Sequence, residues 1–338
     1  MQVDIESAAA SVPIDKTRIL NCIADVCEGD LDKPHPQNHS MYSRVNHALR
    51  SFFAVTMWPR AVTEDLDHLR CRLMSTLKAD ASRTSLRINC LGLGAKVHDK
   101  HLVEIGGAIC SSLRSFQVTC ESCKHLTDRG VIGLAEGLAT LNRVEALELY
   151  FASCVGLASV QSLAVGLSQL VQLKTLKLNL NGCTGLKSLK GLKEIFNGLT
   201  QLESLHMCVG YSSVVKSLDA FGPDGLGTLK QLSCLDLNFS RNGALTSLEP
   251  LGEGLAGLVR LATFRLNLYD CSRLTALEDL GIGLSRLVQL RVLNVDCRFC
   301  AALKSVEPLT VGIAGLVQLT SWRIGLDGCL SLSESMRG

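Results

Sequence analysis

Three side chains of this sequence could together make a nucleophile. Cys208 and His206 stand two residues apart, and Asp236 holds the place of His206 in the next copy of a recurring segment. A thiol, an imidazole and a carboxylate are the parts of a proton-relaying triad. On an extended strand, however, residues i and i+2 stand roughly 6–7 Å apart, further than the ~3 Å hydrogen bond that proton transfer needs. No obvious oxyanion hole accompanies them. The expectation is an interface histidine beside a semi-exposed thiol, and no enzymatic activity.

Other groups invite chemistry and lose it on spacing. Two C-x-x-C pairs, Cys120/Cys123 and Cys297/Cys300, have the form of zinc or redox ligands. His35, His39 and His47 crowd one stretch, but no cysteine or acid stands around them at ligand spacing, so a solvated loop is expected. The segment GLGTLKQL (225–232) contains Gly and Lys without the G-x-x-x-x-G-K-[ST] spacing of a phosphate-cradling loop. Neither metal nor cofactor is expected.

Composition narrows the class. The formal charge is +2 over 338 residues, which gives no reason to expect nucleic acid or an anionic membrane as partner. Aromatics make up only 4% while Leu and Gly abound, as in a chain that repeats one small packing unit. The acidic start MQVDIESAAASV lacks the basic and apolar regions of a secretory signal. No run approaches the ~18 apolar residues of a membrane span. A cytoplasmic protein with its fifteen cysteines mostly reduced is expected.

The element that must position all these groups is a repeat. Segments such as VEALELYFASC, LKTLKLNLNGC and LATFRLNLYDC follow L-x-x-L-x-L-x-L-x-x-C. Their second apolar position falls at Phe116, Leu147, Leu176, Leu205, Leu235, Phe264, Leu293 and Trp322, and a degenerate copy precedes them at Leu86, Ile88 and Cys90. The first half of each unit alternates with period two, as in Leu176, Leu178 and Leu180, and predicts a short strand. The second half, as in GLKEIFNGLTQL (191–202), spaces its apolar residues for a short helix. Strand plus helix at near-constant pitch predicts an α/β solenoid with strands stacked in parallel.

The pattern resembles the leucine-rich-repeat superfamily across roughly residues 83–338. The unit CKHLTDRGVIGLAEGLATL (123–141) is similar to the ribonuclease-inhibitor and cysteine-containing subclasses, in which C-x-x-L-T-D-x-G opens the helical half. Most other copies carry one extra L-x step in the strand and looser segments such as LKSLKG or LTSLEP. The resemblance implies a right-handed horseshoe of about nine repeats, a parallel sheet on its concave face, and a surface suited to gripping macromolecules. It also implies that Cys123, Cys154, Cys183, Asn242, Cys271, Cys300 and Cys329, with Ser212, form an inward ladder satisfying backbone where the chain turns off the sheet. In this register Cys120 and Cys297 fall in an inward core column, and the two C-x-x-C pairs lie roughly 30 Å apart. Structural thiols explain them.

Residues between the strand leucines then line the concave face. One row holds Glu148, Lys177, His206, Asp236, Arg265 and Arg323. The next holds Tyr150, Asn179, Cys208, Asn238, Asn267 and Asp296, and a third carries Tyr269 and Arg298. These rows predict a mixed-sign protein-docking surface, with Tyr150, Tyr269, Arg265, Arg298 and Arg323 as anchors. The mixed sign weighs against a phosphate backbone. Residues 1–82 do not repeat, and their helical spacings predict an N-terminal cap on the solenoid. The other function considered is a ubiquitin-ligase substrate receptor with residues 1–82 as adaptor; the L-P-x-E opening of an F-box is missing. The segment LSLSESMRG after the last strand is expected to supply no helical half, leaving that end the least stable.

Overall fold

The computed structural model describes residues 84–335 except 91, 92, 95, 213 and 214. The predicted cap over 1–82, with His35, His39 and His47, lies outside the described residues. Nine five-residue strands form one sheet in chain order: β1 Ser85–Asn89, β2 Ser115–Thr119, β3 Ala146–Tyr150, β4 Thr175–Asn179, β5 Ser204–Cys208, β6 Cys234–Asn238, β7 Thr263–Asn267, β8 Val292–Asp296 and β9 Ser321–Gly325. All eight neighbouring pairs are parallel and share one register, so Leu147, Leu176, Leu205, Leu235, Phe264 and Leu293 make a continuous row. Each of these side chains is 0% exposed, as period-two alternation requires.

Short helices cross behind the sheet and close the core: α1 Asp99–Gly106, α2 Asp128–Leu138, α3 Gln161–Leu167, α4 Gly191–Gly198, α5 Glu249–Leu255, α6 Glu278–Leu284, α7 Glu307–Ala314 and α8 Leu330–Ser335. The T-D-x-G unit caps α2 as its sequence suggests: Thr127 Oγ1 accepts from Arg129 N at 3.3 Å. The unit is also tied to its neighbours. Asp99 accepts from Thr127 N (2.7 Å) and Thr127 Oγ1 (2.6 Å), and Asp128 accepts from Ala158 N (3.0 Å). Glycines let the helices approach backbone to backbone. A Cβ on Gly137 would overlap the carbonyl oxygen of Gly106, and one on Gly283 that of Gly252. Strands ~4.8 Å apart against helices ~8–10 Å apart put the sheet on the inner curve.

Two repeats depart from the sequence expectation. Between β5 and β6 the helical half is replaced by 3-10 turns at Asp219–Phe221 and Leu226–Thr228. The intervening Pro223 has no N–H to continue a helix, and Gly222 and Gly225 flank it. At the other end, α8 supplies the helical half that LSLSESMRG was expected to lack: Leu332 N donates to Cys329 O at 3.2 Å, and Leu332 is 7% exposed against the core. The edge remains open nonetheless. Trp322, in the core column of β9, is 62% exposed, since no further strand among the described residues covers it.

The inward ladder forms, and its bonds run between repeats. The thiols of Cys154, Cys183, Cys271, Cys300 and Cys329 donate to the carbonyls of Cys120 (2.8 Å), Phe151 (3.1 Å), Phe239 (3.2 Å), Leu268 (3.2 Å) and Cys297 (3.0 Å), each in the preceding repeat. Asn242 does more. Its Nδ2 donates to Val209 O (3.0 Å) while its Oδ1 accepts from Ser212 N (2.9 Å). Cys123, at the head of the series, turns instead to Glu121 O at 3.6 Å. Burial pushes the Cys183 thiol up to about 11 and the Cys271 thiol up to about 12, so both stay protonated donors. None of the twelve described cysteines forms a disulfide, the C-x-x-C pairs included.

The residue before each ladder position takes a left-handed backbone: Ser122, Ser153, Gly182, Tyr211, Arg241, Asp270, Phe299 and Gly328 all have φ between 56° and 76°. That conformation turns the chain off the sheet and aims the next side chain inward. Only Gly182 and Gly328 adopt it without a Cβ penalty.

Candidate functional site

The concave face displays the predicted rows. Register pairs Glu148 with Lys177, Lys177 with His206, His206 with Asp236, and Asp236 with Arg265. The charges resolve into discrete pairs. Lys177 Nζ lies 2.9 Å from Glu148 Oε1, and His206 Nδ1 lies 3.2 Å from Asp236 Oδ2, so Asp236 turns to His206 and not to Arg265. Tyr150 also donates to Glu148 Oε2 at 2.8 Å. Burial pushes the Glu148 carboxyl up, but the bonds from Lys177 and Tyr150 together outweigh it and hold the group below the usual range.

The second row does structural work at its base. Asn179 Oδ1 accepts from Asn181 N (3.0 Å), Asn238 Oδ1 from Ser240 N (2.9 Å), Asn267 Oδ1 from Tyr269 N (2.9 Å) and Asp296 Oδ1 from Arg298 N (3.1 Å). Each side chain bonds the backbone two residues on, an Asx-type turn that starts the chain off the strand. Cys208 breaks this series, for a thiol is a poor acceptor. The duty passes to Asn181, whose Oδ1 reaches across to Gly210 N at 2.7 Å.

Freed from that role, the Cys208 sulfur lies 3.4 Å from His206 Nε2. The sequence expectation that these two could not meet is overturned. Residues i and i+2 share one face, and side-chain torsions lean them together across the ideal spacing. With His206 Nδ1 on Asp236, the three groups form a continuous thiol–imidazole–carboxylate chain. The bond to Asp236, then the contact with Cys208, push the His206 imidazole up to about 10 against the opposing effect of burial.

Towards β9 the face hollows into a depression of about 540 Å³ lined by Asp236, Arg265, Asn294, Asp296, Arg298 and Arg323 among others. Arg298 grips Asp296 with two bonds, Nε to Oδ1 at 2.8 Å and Nη2 to Oδ2 at 2.6 Å, and these hold the Asp296 carboxyl below its usual range. Gly325 leaves room for this grip, since a Cβ there would press on Asp296 Oδ1 and Arg298 Cγ. Arg265 and Arg323 flank Asn294 in register and are exposed, and neither forms an ion pair among the described residues.

One set of residues escaped the sequence reading. Along the rim where the strands end, the Arg241 guanidinium lies over the rings of Tyr211 (5.0 Å) and Tyr269 (5.8 Å), and Arg298 over Tyr269 (5.6 Å). The Phe299 ring packs against Tyr269 at 5.2 Å. Tyr211 is 50% and Phe299 48% exposed. Tyr211, Arg241 and Phe299 sit at the left-handed position before the ladder, which aims the ladder residue inward and leaves these side chains outside. The column before the cysteines was the available signal.

No protein-family model and no curated protein matches the sequence. Solved structures align at low identity. A chain of the TLR13–ssRNA13 complex is 18% identical over 74% of this chain, with TM-score 0.39, and this chain spans 37% of its length. The leucine-rich repeat-containing protein LegL7 from Legionella pneumophila is 19% identical over 75% of this chain and 78% of its own, with TM-score 0.43. A chain of the yeast Rad7 and Elc1 complex is 14% identical over 90% of this chain and 79% of its own, with TM-score 0.32. The assignment itself rests on the repeat: nine in-register parallel strands, crossings behind them, and a leucine core with a cysteine–asparagine ladder. The chain has the fold of a leucine-rich-repeat solenoid.

Proposed function

We propose that the chain is a non-enzymatic protein-binding scaffold that docks its partner on the concave face between β6 and β9. The observation that carries this reading is the pair of exposed arginines, Arg265 and Arg323, over a polar depression and beside an exposed arginine–aromatic rim. Arginine and tyrosine combine large contact area with directional bonding and dominate interface energetics. Arg298, held by Asp296, and Tyr269, held between Arg241 and Arg298, are ordered before a partner arrives, which lowers the entropic cost of docking. The partner is a protein surface offering carboxylates to Arg265 and Arg323 and an apolar or aromatic group to Tyr269 and Phe299. Although the TLR13 structure is a complex with ssRNA, the rows here are mixed in sign and do not form the cationic stripe that a phosphate backbone favours.

Affinity capture with the intact chain and with a variant carrying Arg265→Ala, Arg298→Ala and Arg323→Ala tests this. The variant should lose the captured protein, each truncation weakening binding by about 1–3 kcal/mol. Equal capture by both chains would mean that another surface binds.

A further inference from the structure

We infer that Cys208 is a nucleophilic acyl acceptor: with His206 and Asp236 behind it and the carboxamides of Asn179 and Asn238 on either side, it takes an acyl group from a thioester donor.

The arrangement meets each requirement of acyl transfer. The nucleophile touches its base, with Cys208 Sγ 3.4 Å from His206 Nε2. The imidazole is oriented, because His206 Nδ1 lies 3.2 Å from Asp236 Oδ2 and Nε2 therefore faces the sulfur. Register sets Asn179 on β4 and Asn238 on β6 directly beside Cys208, each ~4.8 Å away across the sheet. Both amides have their oxygens committed to backbone N–H groups, so their NH₂ groups are the ends left to donate. Two donors flanking a nucleophile can polarise a carbonyl and stabilise the oxyanion formed on attack.

Cys208 also has no structural task to explain it. Its row-mates on β4, β6, β7 and β8 each bond backbone two residues on, whereas Asn181 does this in place of Cys208. The ladder thiols donate to carbonyls inside the core; Cys208 lies on the opposite face of its strand from Met207 and is 8% exposed, less open than the semi-exposed thiol expected from the sequence.

In the reaction, the pair works as thiolate and imidazolium, the thiol proton held on His206 Nε2, and the Cys208 thiolate adds to the thioester carbonyl carbon. The carbonyl oxygen carries the negative charge against the Asn179 and Asn238 amides. The tetrahedral species collapses, the donor's carbon–sulfur bond breaks, and the departing thiolate recovers the proton from His206. The products are S-acyl Cys208 and a free thiol, with no oxidant or reductant. Lys177 on β4, Asp236 on β6 and Tyr150 on β3 are the other titratable groups around the pair. This inference does not depend on the docking reading, whose arginines lie further along the face.

The test treats the full chain with acetyl thiocholine as thioester, and separately with iodoacetamide, and follows each cysteine by peptide mass spectrometry. Cys234, partly exposed on the adjacent strand, is the internal standard. Cys208 should acetylate at least ~100-fold faster than Cys234. His206→Gln should remove most of that advantage, and Asp236→Asn should shift the pH profile of acylation. Asn179→Ala and Asn238→Ala should each slow acetylation ~10-fold or more yet leave alkylation unchanged, since displacement at iodoacetamide builds no oxyanion. Loss of fold would show as alkylation of the buried ladder thiols. Cys208 acetylating no faster than Cys234, or acetylation and alkylation of Cys208 falling together in the asparagine variants, would overturn the inference.

Discussion

At the residue scale, the ladder and the thiol cluster make separable demands. Asn242 is fully buried and satisfies both Val209 O and Ser212 N, so Asn242→Ala strands two backbone groups at once. The expected cost is about 2–4 kcal/mol, read from urea unfolding. Ser212 is the converse case. By register its acceptor is the Leu180 carbonyl, but its hydroxyl has no partner among the described residues. Ser212→Cys should gain about 1 kcal/mol in the same assay by extending the bond the other repeats make. His206 gives a pH signature. Its folded value, about 10, lies above the ~6.5 of an unfolded histidine. Its contribution is therefore fully present below pH ~6.5 and is lost as pH rises through about 10. Wild-type stability should fall relative to His206→Gln over that window, and parallel curves would contradict the pairing. The sequence made the row positions of Cys208, His206 and Asp236 readable but not their contact. Ideal strand spacing holds Cβ atoms apart, and only torsions and the transfer of the Gly210 bond to Asn181 bring the sulfur to the ring.

At the element scale, the strands were legible because leucine alternation has one physical meaning when one face is buried. The left-handed turn was not. Its column reads Ser122, Ser153, Gly182, Tyr211, Arg241, Asp270, Phe299 and Gly328, and only two of eight residues advertise a positive φ. A residue with a Cβ is strained there by roughly 1–2 kcal/mol. Ser153→Gly should therefore be neutral to stabilising by up to ~1 kcal/mol, while Gly182→Ala should destabilise by a similar amount, its Cβ 3.1 Å from Ser153 Oγ. Helix contacts carry the same logic: Gly283→Ala overlaps the Gly252 carbonyl and should cost about 1–3 kcal/mol. The helical half after β5 was not legible because the repeat's leucines persist through Pro223 while the N–H needed for a helix does not. At the far end, β9 has a neighbouring strand on one side only among the described residues, and its amides should exchange faster than those of β5–β7.

At the scale of the whole molecule, each repeat buries its apolar strand face against its neighbours, so fold and function share one cause. The spacing that stacks Leu147, Leu176 and Leu205 into a core also stacks Glu148, Lys177 and His206 into a charged row on the other face. Row membership was therefore legible from period alone. The choice of ion partners was not, because Asp236 had His206 and Arg265 at equal register and geometry selects His206. The stacking itself can be measured with pairs of spin labels on genetically introduced keto side chains, which leave the native thiols alone. With one label at Gln117 and the second at Arg265, Asn294 or Arg323, the labels lie five, six and seven strand steps apart. Distances should rise in order towards at most ~24, ~29 and ~34 Å. Distances that fail to lengthen with each added repeat, or that reverse order as antiparallel pairing would require, would contradict the account.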